Sequence, residues 1–209
     1  MSDLTLYHAI PSRGFITRWM MEEVGEPYDL VLLNMAAEDH KKTDYLAINP
    51  MGRVPALVHD GRVVTETAAI CAYMAETFPK ANLAPALGSP ARADYLRWMF
   101  FAPVSAEPSI LWQMLGEVKT ENDYRPFASI DDVTETLCGA VRNRAYIAGD
   151  RFSAADVMLG SSIWWGLDLM GVLPKRPELE EYLRPLQDRP AWQRAAAGDE
   201  ADGATLHNT

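Results

Sequence analysis

Residues 49–67 read Asn-Pro-Met-Gly-Arg-Val-Pro-Ala-Leu-Val-His-Asp-Gly-Arg-Val-Val-Thr-Glu-Thr, and they constrain the local architecture more tightly than any other segment of the chain. Asp60-Gly61 lies between two apolar runs. This dipeptide is typical of a type I′ hairpin turn, because both central positions of that turn need a positive φ. The sequence therefore predicts two short antiparallel strands, Ala56–His59 and Arg62–Val64, joined by a tight turn.

A helix is predicted directly after this hairpin. Thr65-Glu66-Thr67 precedes residues 68–76, which are good helix formers, and this order places a threonine at the predicted N-cap. The first-turn amides of a helix have no partner inside it, so they attract an anion such as a ligand carboxylate. The hairpin and the helix start therefore predict an anion-binding wall.

The rest of the first half alternates strands and helices. The predicted elements before the hairpin are a strand at Leu4–His8, a helix at Phe15–Val24 that Gly25 ends, a strand at Tyr28–Leu33 and a short helix at Glu38–Ala47. Together with the hairpin and its helix, they predict a βαβ unit followed by a ββα unit.

The second half changes character after residues 78–85, which contain two prolines and are interpreted as a linker. Only helical stretches are predicted beyond it, near Ser89–Val118, Ile130–Ile147, Ala154–Leu169 and Glu178–Gln187. Pro103 and Pro108 are expected to kink or divide the first of these. The tail from Ala195 onward carries glycine and acidic residues and is predicted to be mobile.

Composition excludes several classes of protein. With 209 residues and 48% hydrophobic content, the chain can bury a substantial core. Neither an apolar run of membrane-spanning length nor a signal sequence after Met1 is present, so a soluble cytoplasmic protein without membrane association is expected. The net charge of −10 argues against a nucleic-acid partner. Cys71 and Cys138 lie far apart without metal or redox spacing, so no disulfide and no metal are expected.

An acidic protein that binds an anion needs a local reversal of its field. Four of the seven Lys and Arg residues in the first 80 positions fall in loops that border the predicted anion-binding wall. They are Arg13, Lys41, Lys42 and Arg53.

The ordered series of Pro-containing turn, Val54-Pro55, Asp-Gly hairpin and Glu66-Thr67 resembles the glutathione-binding half of the soluble glutathione S-transferases. That resemblance implies a thioredoxin-like N-terminal domain in which Val54 and Pro55, joined by a cis peptide bond, present backbone groups to the cysteinyl part of glutathione. It also implies that Glu66 and Thr67 hold the γ-glutamyl end. Arg53 stands where the family has Lys, Gln or Arg.

The spacing to His40-Lys41 is most similar to the theta class and its bacterial relatives. It implies that His40 and Lys41 reach the glycyl carboxylate. The alternative is a solvated helix face that includes Lys42, since charge clusters commonly have no partner.

The thiol of glutathione must be activated, because a thiol with a pKa of about 8.5 is mostly protonated at neutral pH. Ser12, between the first strand and the first helix, is the preferred hydroxyl, and Tyr7 is the second candidate. Matching by length puts the theta-class serine on Pro11 and the beta-class cysteine on Arg13, so Ser12 is only their neighbour. A plain helix cap is the alternative role for Ser12.

Ser153 and Asp156 have the spacing of a capping box at the start of the third helical stretch of the second half. The segment that contains them, residues 149–156, is similar to one with a structural role in glutathione transferases. A folding role is therefore expected for Asp156.

These inferences together predict an α/β thioredoxin-like N-terminal domain, residues 1–79, and an all-α C-terminal domain, residues 88–209. The resemblance implies a cytoplasmic detoxification enzyme, a homodimer that uses glutathione as co-substrate and holds a hydrophobic electrophile with its helical domain. Two alternatives stay open at this stage. One is a glutathione-dependent isomerase or peroxide reductase of the same fold, and the other is a non-catalytic binding module.

Overall fold

A computed structural model describes residues 3–116 and 126–206 of the chain. Its contacts divide the chain into two compact units. The first contains residues 3–82 together with residues 189–206, and the second contains the described part of Leu83–Asp188.

The first unit is built on a four-stranded mixed sheet. Its strands are β1 (Leu4–His8), β2 (Asp29–Leu32), β3 (Ala56–His59) and β4 (Arg62–Thr65), in the order β2-β1-β3-β4. β1 is parallel to β2 and antiparallel to β3, and β4 is antiparallel to β3. Asp60 and Gly61 have φ values of 49° and 74°, which confirms the predicted hairpin turn.

Three helices accompany this sheet in chain order: α1 (Gly14–Val24), α2 (Thr43–Ile48) and α3 (Thr67–Thr77). Gly25 ends α1 in the left-handed region, as predicted. The predicted helix at Glu38–Ala47 is instead a 3₁₀ turn at Asp39–Lys41 followed by α2. Because α1 joins the parallel pair and α3 follows the hairpin, the predicted thioredoxin-like fold of this half is confirmed.

In the described residues of the second unit the regular elements are helices, and an isolated β-bridge joins Tyr146 and Gly149. Its helices are α4 (Ala91–Phe101), α5 (Glu107–Met114), α6 (Ile130–Val141), α7 (Ala154–Trp164) and α8 (Pro177–Gln187). A π-helical segment that contains Pro103 separates α4 from α5, and Pro108 lies in the first turn of α5. The predicted division by these prolines is therefore confirmed. The predicted end of this stretch at Val118 lies outside the described residues.

Asp156 at the start of α7 is fully buried and accepts four hydrogen bonds. The Ser153 N–H and hydroxyl donate to it at 2.8 and 3.0 Å, the Ile147 N–H at 2.8 Å and the Tyr182 hydroxyl at 2.7 Å. The capping box is therefore present, and the same carboxylate ties α7 to α8 and to the preceding loop.

The C-terminal segment differs from its prediction. Pro190–Leu206 forms helix α9, which packs on α1 in the first unit, so the expectation of a mobile tail from Ala195 was wrong. The compact units accordingly differ from the predicted boundaries, which assigned everything after residue 88 to the helical domain. The reason is that Trp192, 5% exposed, packs edge-on against Phe15 and Trp19.

Among residues 3–116 and 126–206, no helix is both long enough and apolar enough to span a membrane.

Candidate functional site

A cavity of about 550 Å³ lies in the first unit, at the end of the sheet from which the loops to α1 and α3 emerge. It is lined by ten residues from four separate segments of the chain: Ser12, Arg13, Met35, Asn49, Met51, Arg53, Val54, Pro55, Glu66 and Thr67. Six of the nine residues predicted from sequence are therefore brought together here, and Tyr7, His40 and Lys41 are outside the lining.

The loop before β3 is fixed by hydrogen bonds that two side chains donate to one of its backbone carbonyls. The peptide bond between Val54 and Pro55 is cis. The carbonyl oxygen of the preceding residue, Arg53, accepts hydrogen bonds from the Tyr45 hydroxyl and from Asn49 Nδ2, the latter at 2.7 Å. Burial raises the pKa of Tyr45 to about 12, so its hydroxyl stays a donor throughout the neutral range. Two side chains, one of them from the lining residue Asn49, thus fix the backbone that forms this wall of the cavity.

The amino end of α3 forms another wall. The N-cap is Glu66, with φ 70° and ψ 121°, and its side chain makes no capping hydrogen bond. The prediction of a threonine N-cap was therefore wrong, because the helix begins at Thr67 and a strained residue precedes it. With no side-chain cap, the first-turn amides stay open to a ligand anion. Glu66 itself lines the cavity, so its carboxylate is available as a partner for a ligand cation.

Of the two candidate hydroxyls for thiol activation, Ser12 and Tyr7, the structure brings that of Ser12 to the cavity. Its Oγ accepts a hydrogen bond of 2.9 Å from the N–H of Gly14, the first residue of α1, although the N-cap residue is Arg13, whose side chain makes no capping hydrogen bond. A hydroxyl has one proton and two lone pairs, and accepting this bond leaves its proton free to be donated. Tyr7 lies elsewhere, in an apolar cluster where its ring packs 5.6 Å from that of Tyr45.

His40 and Lys41 lie behind the cavity wall. A Cβ placed on buried Gly52, whose φ is +59°, would come within 2.8 Å of the His40 carbonyl oxygen and 3.0 Å of Lys41 Nζ. Only glycine permits this approach. Gly52 lies between two lining residues, Met51 and Arg53, so the predicted pair is adjacent to the cavity without lining it.

Four lining residues were missing from the predicted site: Arg13, Met35, Asn49 and Met51. The sequence indicated Arg13 only as a nearby positive charge. Asn49-Pro50 was visible as a turn, but nothing in the sequence showed that the Asn49 side chain would be buried and bonded to the loop that it precedes. Met35 follows β2, and no motif in the sequence marks it as a site residue.

The cavity has charges of both signs. Arg13, Arg53 and the amino end of α3 are positive, and Glu66 is negative. A ligand with more than one carboxylate and an ammonium group fits this distribution. Within the described ranges, no group of three His, Cys, Asp or Glu side chains is arranged to hold a metal ion.

Comparison with known proteins gives one consistent result. Residues 2–76 match the family described as glutathione S-transferase, N-terminal domain. A glutathione transferase homolog from Sulfitobacter, solved with bound glutathione, is 30% identical, with 96% of this chain and 99% of that one covered and a TM-score of 0.73. A glutathione transferase from Methylococcus capsulatus is 26% identical, with 95% and 99% covered and a TM-score of 0.74.

A curated relative carries the same family name. Glutathione S-transferase GstA of Escherichia coli O157:H7 is 26% identical over 183 residues, which cover 86% of this chain and 90% of that protein.

Proposed function

The chain belongs to the soluble glutathione S-transferase family, and from this premise we propose that it binds reduced glutathione in the 550 Å³ cavity and activates the thiol for attack on a hydrophobic electrophile. One observation carries the proposal. Five residues predicted to bind glutathione converge with Ser12 on a single cavity, although up to 55 positions separate them in sequence. They are Arg53, Val54, Pro55, Glu66 and Thr67.

Each part of glutathione is assigned to one wall of the cavity. The Val54 backbone before the cis-proline receives the cysteinyl unit as an added strand. Glu66 pairs with the γ-glutamyl ammonium, while the Thr67 hydroxyl and the first-turn amides of α3 receive its carboxylate. Arg53 takes the glycyl carboxylate. His40 and Lys41 contribute from behind Gly52, since Lys41 Nζ lies close to that residue.

Thiol activation needs no metal and no general base. Lowering the pKa of a thiol by about two units takes roughly 2.7 kcal/mol of preferential stabilisation of the thiolate. A hydrogen bond donated to a charged group contributes about 1.5–3 kcal/mol. The amino end of a helix adds about 0.3–1 kcal/mol, and α1 begins two residues after Ser12. The Ser12 hydroxyl and α1 therefore suffice.

The thiolate then forms the new bond. Its electron pair attacks the electrophilic carbon, the leaving group departs with the electrons of the broken bond, and the thiol proton has already gone to solvent. Glutathione is consumed as a co-substrate.

The aromatic side chains of the helical unit support a hydrophobic electrophile. Tyr95, Trp98 and Met99 are buried and belong to the core of that unit. Met114 is 48% exposed, so apolar surface remains for a ligand. We infer a cytoplasmic detoxification role from the family resemblance.

A homodimer is also proposed. Leu96, Phe100 and Val104 recur every fourth position along α4 and the π-helical segment after it, and they are 42%, 50% and 65% exposed. Such a stripe is larger than the scattered apolar residues of an ordinary surface. A second copy of the chain is the partner that the family resemblance implies.

The test of function is a conjugation assay with glutathione and an aryl halide, comparing the wild type with Glu66→Gln. Loss of the carboxylate that pairs with the ammonium is expected to raise the KM for glutathione roughly 10-fold or more, because a charge-assisted hydrogen bond is worth about 1.5–3 kcal/mol. Glu26→Gln, at an exposed position after α1, is the control and should leave KM unchanged.

Three outcomes separate the alternatives. Conjugation of glutathione to the aryl halide that depends on Glu66 supports the glutathione transferase. Binding without turnover of aryl halides, peroxides or isomerisable substrates favours the non-catalytic module. Turnover of peroxides or isomerisable substrates alone favours the isomerase or peroxide reductase.

A further inference from the structure

Helix α9 runs along α1 and ends beside the loop that carries Ser12. At one end Arg189, just before α9, donates two hydrogen bonds of 2.6 and 2.7 Å to Glu23 near the end of α1. At the other end Asp199 lies against Arg18, and a Cβ on Gly203 would lie 3.5 Å from Ile10 Cγ2. α9 is therefore antiparallel to α1 and extends to the β1–α1 loop.

Asp199 of α9 contacts both His8 and Arg18 in the first unit. Its Oδ1 is 3.0 Å from Nε2 of His8, the last residue of β1. The same oxygen accepts a hydrogen bond of 2.9 Å from Arg18 Nη1, which also donates to Asp202 at 2.7 Å. The Asp199 side chain is 15% exposed and that of His8 is fully buried. The Asp199 carboxylate of α9 thus fixes the His8 imidazole at the end of β1.

The contact sets the orientation and tautomer of His8. His8 Nδ1 is buried without a hydrogen-bond partner among the described residues. A proton on Nδ1 would therefore be buried and unsatisfied, which is costly. The proton is placed on Nε2, where it is donated to Asp199.

The His8 ring in turn supports the start of α1. A Cβ placed on Gly14 would be only 1.9 Å from His8 Nδ1, so the ring lies directly against the Gly14 backbone. Gly14 is the residue whose N–H donates to Ser12 Oγ. The contacts therefore run without a gap from Asp199 through His8 and Gly14 to the Ser12 hydroxyl.

We propose that Asp199 and His8 are positioning residues for Ser12, and that α9 thereby holds the thiol-activating hydroxyl in place. This inference rests on the proposed function of Ser12. It assigns the C-terminal helix a role in catalysis, although no residue of α9 lines the cavity. Removing the carboxylate lets the imidazole turn, and the Gly14 amide and the Ser12 hydroxyl lose their fixed geometry.

The experiment compares Asp199→Ala, Asp199→Asn and Arg189→Ala with the wild type. Asp199→Ala is expected to raise the pKa of enzyme-bound glutathione, measured by ultraviolet thiolate absorbance, by about one unit. That shift means roughly a 10-fold fall in thiolate and in kcat below the pKa. The KM for glutathione should change less than about twofold, because the binding walls are untouched.

Asp199→Asn keeps an oxygen that accepts from Nε2, and it should restore most of the wild-type thiol pKa. Arg189→Ala removes an ion pair between the same two helices at the other end, and it should leave the thiol pKa unchanged whatever it does to the unfolding midpoint. A second readout needs no glutathione. Hydrogen exchange of the Gly14 amide should be faster in Asp199→Ala than in Arg189→Ala.

A thiol pKa in Asp199→Ala equal to that in Arg189→Ala overturns the inference, as does equal Gly14 exchange. Should Asp199→Ala not fold, Asp199→Glu replaces it. This variant keeps the charge beside Arg18 but displaces the oxygen from His8, and an unchanged thiol pKa would again overturn the inference. A wild type that leaves the thiol at its free pKa contradicts the proposed function, whereas a lowered pKa that Asp199 does not affect contradicts this inference alone.

Discussion

At the scale of single residues, the Ser12 hydroxyl is the group on which thiol activation depends. Ser12→Ala is expected to raise the pKa of bound glutathione by one to two units and to move the pH–rate profile to higher pH, because one hydrogen bond to a thiolate is worth about 1.5–3 kcal/mol. Ultraviolet titration of the bound thiol measures this.

Tyr7→Phe is the matched hydroxyl deletion. Since the Tyr7 ring packs in an apolar cluster and is outside the cavity lining, the variant should titrate like the wild type. A thiol pKa that stays low in Ser12→Ala but rises in Tyr7→Phe would reverse the assignment.

The two cysteines are expected to be bystanders. Burial raises the pKa of the Cys71 thiol and that of Cys138, so neither presents a thiolate at neutral pH. The folded protein should resist alkylation by iodoacetamide at pH 7.5, and mass spectrometry should find both sites modified only after unfolding. Rapid native labelling that abolishes conjugation would contradict this.

At the scale of elements, the two donors behind the cis-proline loop should control affinity for glutathione. Tyr45→Phe removes one of the two bonds to the Arg53 carbonyl. The expected result is a loss of about 0.5–1.5 kcal/mol, a roughly 2- to 12-fold weaker Kd for glutathione, with an unchanged thiol pKa. Fluorescence titration measures the Kd.

Tyr28→Phe is the control for that change. The Tyr28 hydroxyl donates to Glu22 outside the cavity, so its loss should not alter glutathione affinity. Equal weakening in both variants would show that the Arg53 carbonyl is not the point of action.

The capping box of α7 should be a determinant of stability and not of chemistry. Asp156→Ala leaves four donors without their acceptor inside the protein, so the free energy of unfolding should fall by about 3 kcal/mol or more. Ser129→Ala, which removes the exposed cap of α6, should cost only about 1 kcal/mol. Urea unfolding measures both. Lost activity with an unchanged unfolding midpoint in Asp156→Ala would contradict the folding role.

Prediction from sequence succeeded for features that one or two neighbouring residues determine. It failed for features that depend on contacts between distant segments. The Asp60-Gly61 turn and the Gly25 helix stop are properties of one or two residues, and they were predicted correctly. Helix α9 was missed because Gly198 and Gly203 suggested flexibility. A Cβ on Gly198 would be 2.1 Å from Arg18, so this glycine permits close packing on α1.

The same distinction applies to the candidate site. Val54-Pro55 and Glu66-Thr67 were recognisable as motifs. Asn49 became a site residue only through its hydrogen bond to a carbonyl four residues away, which no pattern in a single sequence reveals.

At the scale of the whole molecule, the exposed stripe on α4 predicts self-association. Light scattering should give the mass of two chains at micromolar concentration. Phe100→Glu should shift this to one chain, because a charge in the middle of an apolar interface is left without a partner. Glu180→Lys, a charge change on α8, is the control and should remain dimeric. A wild type that has the mass of one chain contradicts the homodimer.

Isothermal titration of the wild-type protein with reduced glutathione tests the central claim, that one cavity between the cis-proline loop and the amino end of α3 receives the tripeptide. The account predicts heat with a stoichiometry of one glutathione per chain, and loss of most of that heat in Glu66→Gln. No heat in the wild type, or equal binding in Glu66→Gln, would contradict it.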